Sequence, residues 1–129
     1  MNQSAHYRSI AADLAADLAD RIRANRTPYF GMDGAALHTD LPLPPDFAVC
    51  PQNTSDRDAA PTCSESKYLV TTEMAEWNTA LRNQLPNGRY VLASTAVATN
   101  AFYRYVLTIT WADDRGDASP DSSYVTVIE

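Results

Sequence analysis

The chain is poor in the residues on which most catalytic and metal-dependent sites rely. Its 129 residues include two histidines, two cysteines, four glycines and a single lysine, Lys67. So few glycines leave no material for a phosphate-cradling loop, and neither Gly-x-Ser-x-Gly nor His-Glu-x-x-His occurs. His6 and His38 are far apart, and neither cysteine belongs to a Cys-x-x-Cys or Cys/His group, whereas zinc asks for about four such ligands. No enzyme activity, small-molecule substrate, metal or other cofactor is therefore expected. Sixteen acids against ten bases give a formal charge of −6, the wrong sign for a nucleic-acid partner, since phosphate affinity comes from clustered Lys and Arg. Also missing are an apolar run of about 18 residues that could span a bilayer and an apolar signal core.

What the chain does contain is a pair of isolated cysteines, Cys50 and Cys63, flanking a proline-containing loop. With no further metal ligands nearby, a disulfide between them is the reading that fits, and it implies an oxidising compartment. Closing a loop of this length stabilises a fold by about 3 kcal/mol in the chain-entropy treatment.

Periodicity predicts an α+β domain covering residues 1–129. A helix is expected over about 4–25, where Ile10, Leu14, Leu18 and Ile22 recur every four residues and form its core face, joined by Tyr7 and Ala11. Thr27-Pro28 stops it. Residues 28–67 hold six of the eight prolines and lose all period, yet Tyr29, Phe30, Leu37, Leu41, Leu43, Phe47 and Val49 are too apolar for a disordered linker. This segment is expected to be an ordered excursion tethered by the disulfide. A second, short helix follows over about 72–85, capped by Thr71 or Thr72, with Met74, Trp77, Leu81 and Leu85 on its core face. Pro86-Asn87-Gly88 ends it. Strands are expected at about 89–97, 102–112 and 123–128, the second with Tyr103, Tyr105, Leu107, Ile109 and Trp111 on one face. The first helix should lie across one face of this antiparallel meander.

Several motifs have simpler explanations than chemistry. Arg115-Gly116-Asp117 matches an adhesion tripeptide, but it sits in an acidic stretch, 113–121, that reads as a solvated turn. Asp113, Asp114, Asp117 and Asp121 could offer oxygens to calcium, although their spacing is not that of the twelve-residue calcium loop. Glu73 and Glu76 resemble a carboxylate pair, and acids also suit the first turn of a helix. Trp77 and Trp111 lie on apolar periodic faces and read as core, where a buried indole N–H needs a partner.

Three segments, in this order, resemble the soluble part of type IV pilus minor pilins of the PilV family. They are the alanine-rich helix Ile10 to Arg26, the run Ala75 to Gly88 with its Trp-x3-Leu-x3-Leu-Pro-x-Gly pattern, and Thr108-Ile-Thr-Trp-Ala-Asp113. The resemblance implies a pilin-like fold with a retained apolar helix of about 20 residues upstream, so the sequence is read as the soluble periplasmic domain of a longer chain. That helix would anchor the subunit in the inner membrane and later enter the fibre. The implied function is structural: contacts with other minor pilins, and with a pilus-tip adhesin, that support pilus initiation and assembly, and through it adhesion and twitching motility. Two alternatives stay open, a minor pseudopilin of type II secretion and a secreted ligand-binding domain using the 28–67 loop.

Overall fold

The computed structural model describes residues 2–25, 46–64, 69–97, 102–112 and 121–129. Within them the chain is an α+β domain of two helices and a three-stranded antiparallel sheet, with one disulfide. The apolar, membrane-length helix implied by the resemblance is not among these residues: no described helix is long and apolar enough to cross a membrane.

Helix α1 spans Asn2–Ala24. Alanine and leucine favour the helical backbone, and the apolar residues at helical spacing give it one buried face. Ala11, Leu14, Ala15, Leu18, Ala19 and Ile22 are buried, while Ile10 and Tyr7 are only partly so, at the margin of the core. The last turn closes on Asn25, whose backbone N–H and side-chain Nδ2 both donate to the Arg21 carbonyl (3.2 and 2.9 Å).

Helix α2 spans Val70–Gln84. It starts earlier than its hydroxyl residues suggest. Leu69 occupies the cap position with no side-chain hydrogen bond, and its carbonyl accepts the Glu73 N–H at 2.8 Å, so Thr71 and Thr72 lie within the helix. The physical reason is burial: Val70 is 1% exposed, and drawing it into the first turn adds it to the stripe formed by Met74, Trp77, Leu81 and Leu85. The exit turn uses two residues for different purposes. Asn87 takes the left-handed conformation (φ 51°), which asparagine tolerates better than most residues. Gly88 packs so closely that a Cβ there would lie 3.0 Å from the Leu81 carbonyl oxygen.

Strands β1 (Arg89–Val97), β2 (Phe102–Trp111) and β3 (Ser122–Ile128) pair in sequence order, with Tyr90 opposite Ile109 and Ile109 opposite Tyr124. The register is unbroken by bulges. One face carries Tyr90, Tyr105, Leu107, Ile109, Trp111 and Ile128 into the core, where α1 packs against α2 and β3. Trp77 lies at its centre, edge-on to Tyr90 (ring centroids 5.1 Å apart) and donating its indole N–H to the Leu14 carbonyl at 2.8 Å. Trp111 is equally buried, with the Arg8 guanidinium 5.8 Å from its ring centre, yet its indole N–H has no hydrogen-bond partner among the described residues.

Candidate functional site

The surfaces that this fold leaves open follow from how the sheet is finished on its two edges and two faces. At the β1 edge, the segment 46–64 closes over the sheet. Asp46 caps a 3-10 turn at Phe47–Val49 by accepting the Ala48 N–H at 2.9 Å, and its other oxygen accepts the Ser94 hydroxyl at 2.8 Å. The fully buried Phe47 donates its N–H to the Tyr105 hydroxyl (3.0 Å). Tyr90 donates its hydroxyl to the Cys50 carbonyl (2.7 Å) and its outward N–H to Gln52 Oε1 (3.4 Å). Burial pushes the Tyr90 phenol well above its ordinary pKa, so it remains a donor under alkaline conditions.

The Cys50–Cys63 disulfide closes this segment on itself, together with the Ser64 N–H donated to the Val49 carbonyl (3.0 Å). Asn78 then fastens it to α2. Its amide, 1% exposed, donates to the carbonyls of Arg57 (3.0 Å) and Ala59 (3.3 Å) and accepts from Gln52 Nε2 (3.1 Å). Outside these bonds, Arg82 pairs with Asp58 at 2.7 Å and Arg57 donates to Asn87 Oδ1 at 2.8 Å. A shallow cavity of ≈ 310 Å³ remains between this segment and β1, lined by Pro51, Gln52, Tyr90 and Leu92 among others.

The β3 edge is finished differently. In an antiparallel ladder, alternate residues bond to alternate neighbours. The outward Tyr90 N–H fixes that alternation, so Tyr105, Leu107, Ile109 and Trp111 bond to β3, and the backbone groups of Ser123, Val125 and Val127 point away from the sheet. No described residue bonds to them. Beside this edge lies a groove of ≈ 250 Å³ with Ala12, Ala15, Ala16, Ala19 and Arg23 of α1 on one side and Tyr124, Thr126, Val127 and Ile128 on the other.

The face turned away from the helices is apolar where antiparallel sheets usually carry polar residues. Val91, Val106, Val125 and Val127 are 66, 42, 59 and 55% exposed and, with Ala93 and Thr108, fill adjacent positions across all three strands. Each end of this field carries one arginine–acid pair, Arg89 with Asp121 and Arg104 with Glu129. The four charges cancel, so among the described residues this face is neutral on a chain of formal charge −6.

The residues singled out from sequence fall mostly into the framework. Met74, Trp77, Leu81, Leu85, Leu14, Leu18 and Ile22 meet in one core, with Ile10 at its margin. Glu73 and Glu76 do not form an acid–base pair. Both bind Arg21 (2.7 and 3.0 Å), which also holds Asp17 at 3.2 Å and so ties α1 to α2. Burial lowers the Arg21 pKa, and the hydrogen bond to Glu76 with the charges of Asp17 and Glu73 more than offsets this, raising it overall. His6 is exposed and lies 5.8 Å from the Tyr7 ring centre. His38, the Arg115-Gly116-Asp117 tripeptide and the acids Asp113, Asp114 and Asp117 lie outside the described residues. No metal-ligating cluster occurs among those that are described.

Sequence reasoning did not single out the open valine face. Its signal was the last strand, Ser-Tyr-Val-Thr-Val-Ile, which lacks the apolar–polar alternation of a strand with one wet face. Gln52 and Asn78 carry no comparable signal, because their roles depend on a loop path that no spacing encodes. No protein-family model, curated protein or solved structure matches the chain.

Proposed function

We propose that this domain is a structural subunit that works by protein–protein contact, in the manner of a minor pilin of a type IV pilus. The observation that carries the reading is the neutral valine face. Fully burying a valine side chain is worth about 1.5–2 kcal/mol, so four valines half-exposed on one contiguous face are a standing gain for any partner that covers them. The resemblance of the helix, the Trp-x3-Leu-x3-Leu-Pro-x-Gly segment and the Trp-x-Asp strand end to PilV-type subunits supplies the identity of the partners. On this reading they are other minor pilins, and possession of an upstream apolar helix would place the domain in the periplasm and then in the fibre. The disulfide is in keeping with an oxidising compartment.

The test has two arms. Co-purification with the other periplasmic minor-pilin domains is expected for the wild-type chain and is expected to fail for Val106→Arg, a solvent-facing change that leaves the core intact. Deleting the gene is expected to lower pilus number. Normal piliation in that strain with impaired secretion would transfer the domain to the type II pseudopilins. Normal piliation with normal secretion would remove both readings and leave the secreted binding domain, for which the cavity beside Tyr90 is the place to look.

A further inference from the structure

We propose that β3 is a strand-pairing edge whose occupant is a second copy of this chain, joined antiparallel about a two-fold axis through Val125 to give a continuous six-stranded sheet. Four observations lead there. The first is that, among the described residues, the edge shows none of the devices by which solvent-exposed edges are normally blunted. From Ser122 to Ile128 there is no proline, lysine or bulge, and no charged side chain. The acids that flank it, Asp121 and Glu129, are each held by an arginine of the same sheet. The opposite edge, by contrast, is covered by the disulfide-tied segment.

The second observation is register. The outward backbone groups belong to Ser123, Val125 and Val127, an odd-numbered set centred on Val125. A two-fold axis at Val125 therefore sets Val125 against itself and Ser123 against Val127 of the second copy, all as hydrogen-bonded pairs, for about six new bonds. A one-residue slip would set outward groups against groups already used within the sheet.

Third, the side chains agree with that register. On the helix side it places Tyr124 beside Thr126 of the second copy and the reverse, an aromatic against a β-branched residue, which is a favourable cross-strand pair. Tyr124 and Thr126 are both among the strand residues that line the groove. Fourth, the wall of that groove on α1 is Ala12, Ala15, Ala16 and Ala19 with Arg23 beyond them, so along the alanine stretch only methyl groups stand between the helix and an added strand. Local charge does not oppose a second copy at this seam. The acids brought together at the seam, Asp121 and Glu129, are already neutralised in each copy.

Sedimentation equilibrium on the chain over a wide concentration range tests the proposal, and a reversible dimer is the expected result. Val125→Pro removes an outward N–H that the monomer does not use, and should weaken dimerisation at least about tenfold while leaving the melting temperature close to that of the parent. Val125→Lys should do the same and stands in if the proline variant fails to fold. Cysteine scanning locates the contact: Val125→Cys should cross-link between copies under mild oxidation, because hydrogen-bonded antiparallel pairs place Cα atoms about 5.5 Å apart. Val91→Cys, equally exposed on β1, should not. A chain that stays monomeric at several hundred micromolar would overturn self-pairing and leave the edge to a strand from another protein. So would cross-linking at Val91 as fast as at Val125, which would move the contact to the valine face. These outcomes are separate from the pilus counts that decide the proposed function.

Discussion

At one side of the sheet, β1 gives the outward Tyr90 N–H to Gln52 and the Ser94 side-chain hydroxyl to Asp46, both in a segment locked by a disulfide and a buried asparagine. At the other side, β3 presents Ser123, Val125 and Val127 to no described partner. The two strands have similar composition, so local propensity does not separate them. What separates them is investment elsewhere in the chain: the covered edge needs Cys50, Cys63, Gln52, Asn78 and Asp46 in a fixed arrangement, and nothing comparable among the described residues is spent on β3. Edge exposure is a hazard that proteins manage explicitly. A domain that closes one edge so thoroughly and leaves the other plain separates a permanent boundary from an available one.

Four experiments would break or sharpen that contrast. The largest effect belongs to Leu14→Asp, which removes the helical layer supporting both edges. Leu14 is 3% exposed, and an unpaired buried carboxylate costs several kcal/mol, comparable with the whole stability of a domain this size. Thermal melts should show loss of a cooperative transition, while the exposed neighbour Asp13→Ala shifts the midpoint little. Next comes the double change Cys50→Ser with Cys63→Ser, expected to cost about 3 kcal/mol by denaturant titration. Its signature is regional: amide hydrogen exchange should accelerate in 46–64 and along the outer side of β1, with the outer side of β3 unchanged.

Asn78→Ala is a more selective way to loosen the same cover. It strands the carbonyls of Arg57 and Ala59 and takes one of two acceptors from the Gln52 amide, and should cost about 2 kcal/mol without disturbing the disulfide. The smallest effect at neutral pH is that of Tyr90→Phe, about 1 kcal/mol for the bond to the Cys50 carbonyl. Its pH dependence is more telling. Burial raises the Tyr90 pKa above its unfolded value of 10.0, so the folded chain holds a proton that the unfolded chain releases. Stability from this group is therefore complete below pH 10.0 and declines as pH rises through and beyond that value. Alkaline denaturation curves of Tyr90→Phe should fall less steeply there than those of the parent.

The architecture was legible where the side-chain period was strong. Tyr105, Leu107, Ile109 and Trp111 announce a strand with one buried face, and the isolated cysteines announce the disulfide. The start of α2 was less so, because Thr71 and Thr72 look like caps while the burial of Val70, a tertiary effect, sets the boundary. The candidate surface was barely legible. Strand order and register decide which valines share the open face, and these depend on contacts between residues that no local window contains. The partner of Trp77 was equally hidden: a main-chain carbonyl on another helix leaves no trace in the sequence.

The packing of α1 against β3 has a kinetic consequence. The two elements are separated by on the order of a hundred residues, whereas the β1–β2–β3 meander is built from near neighbours. During synthesis α1 emerges with Leu14, Leu18 and Ile22 uncovered about a hundred residues before its strand neighbour. The helix therefore waits through that stretch of synthesis before its core face can close completely, and the chain depends on the interval being short, or guarded, to escape aggregation.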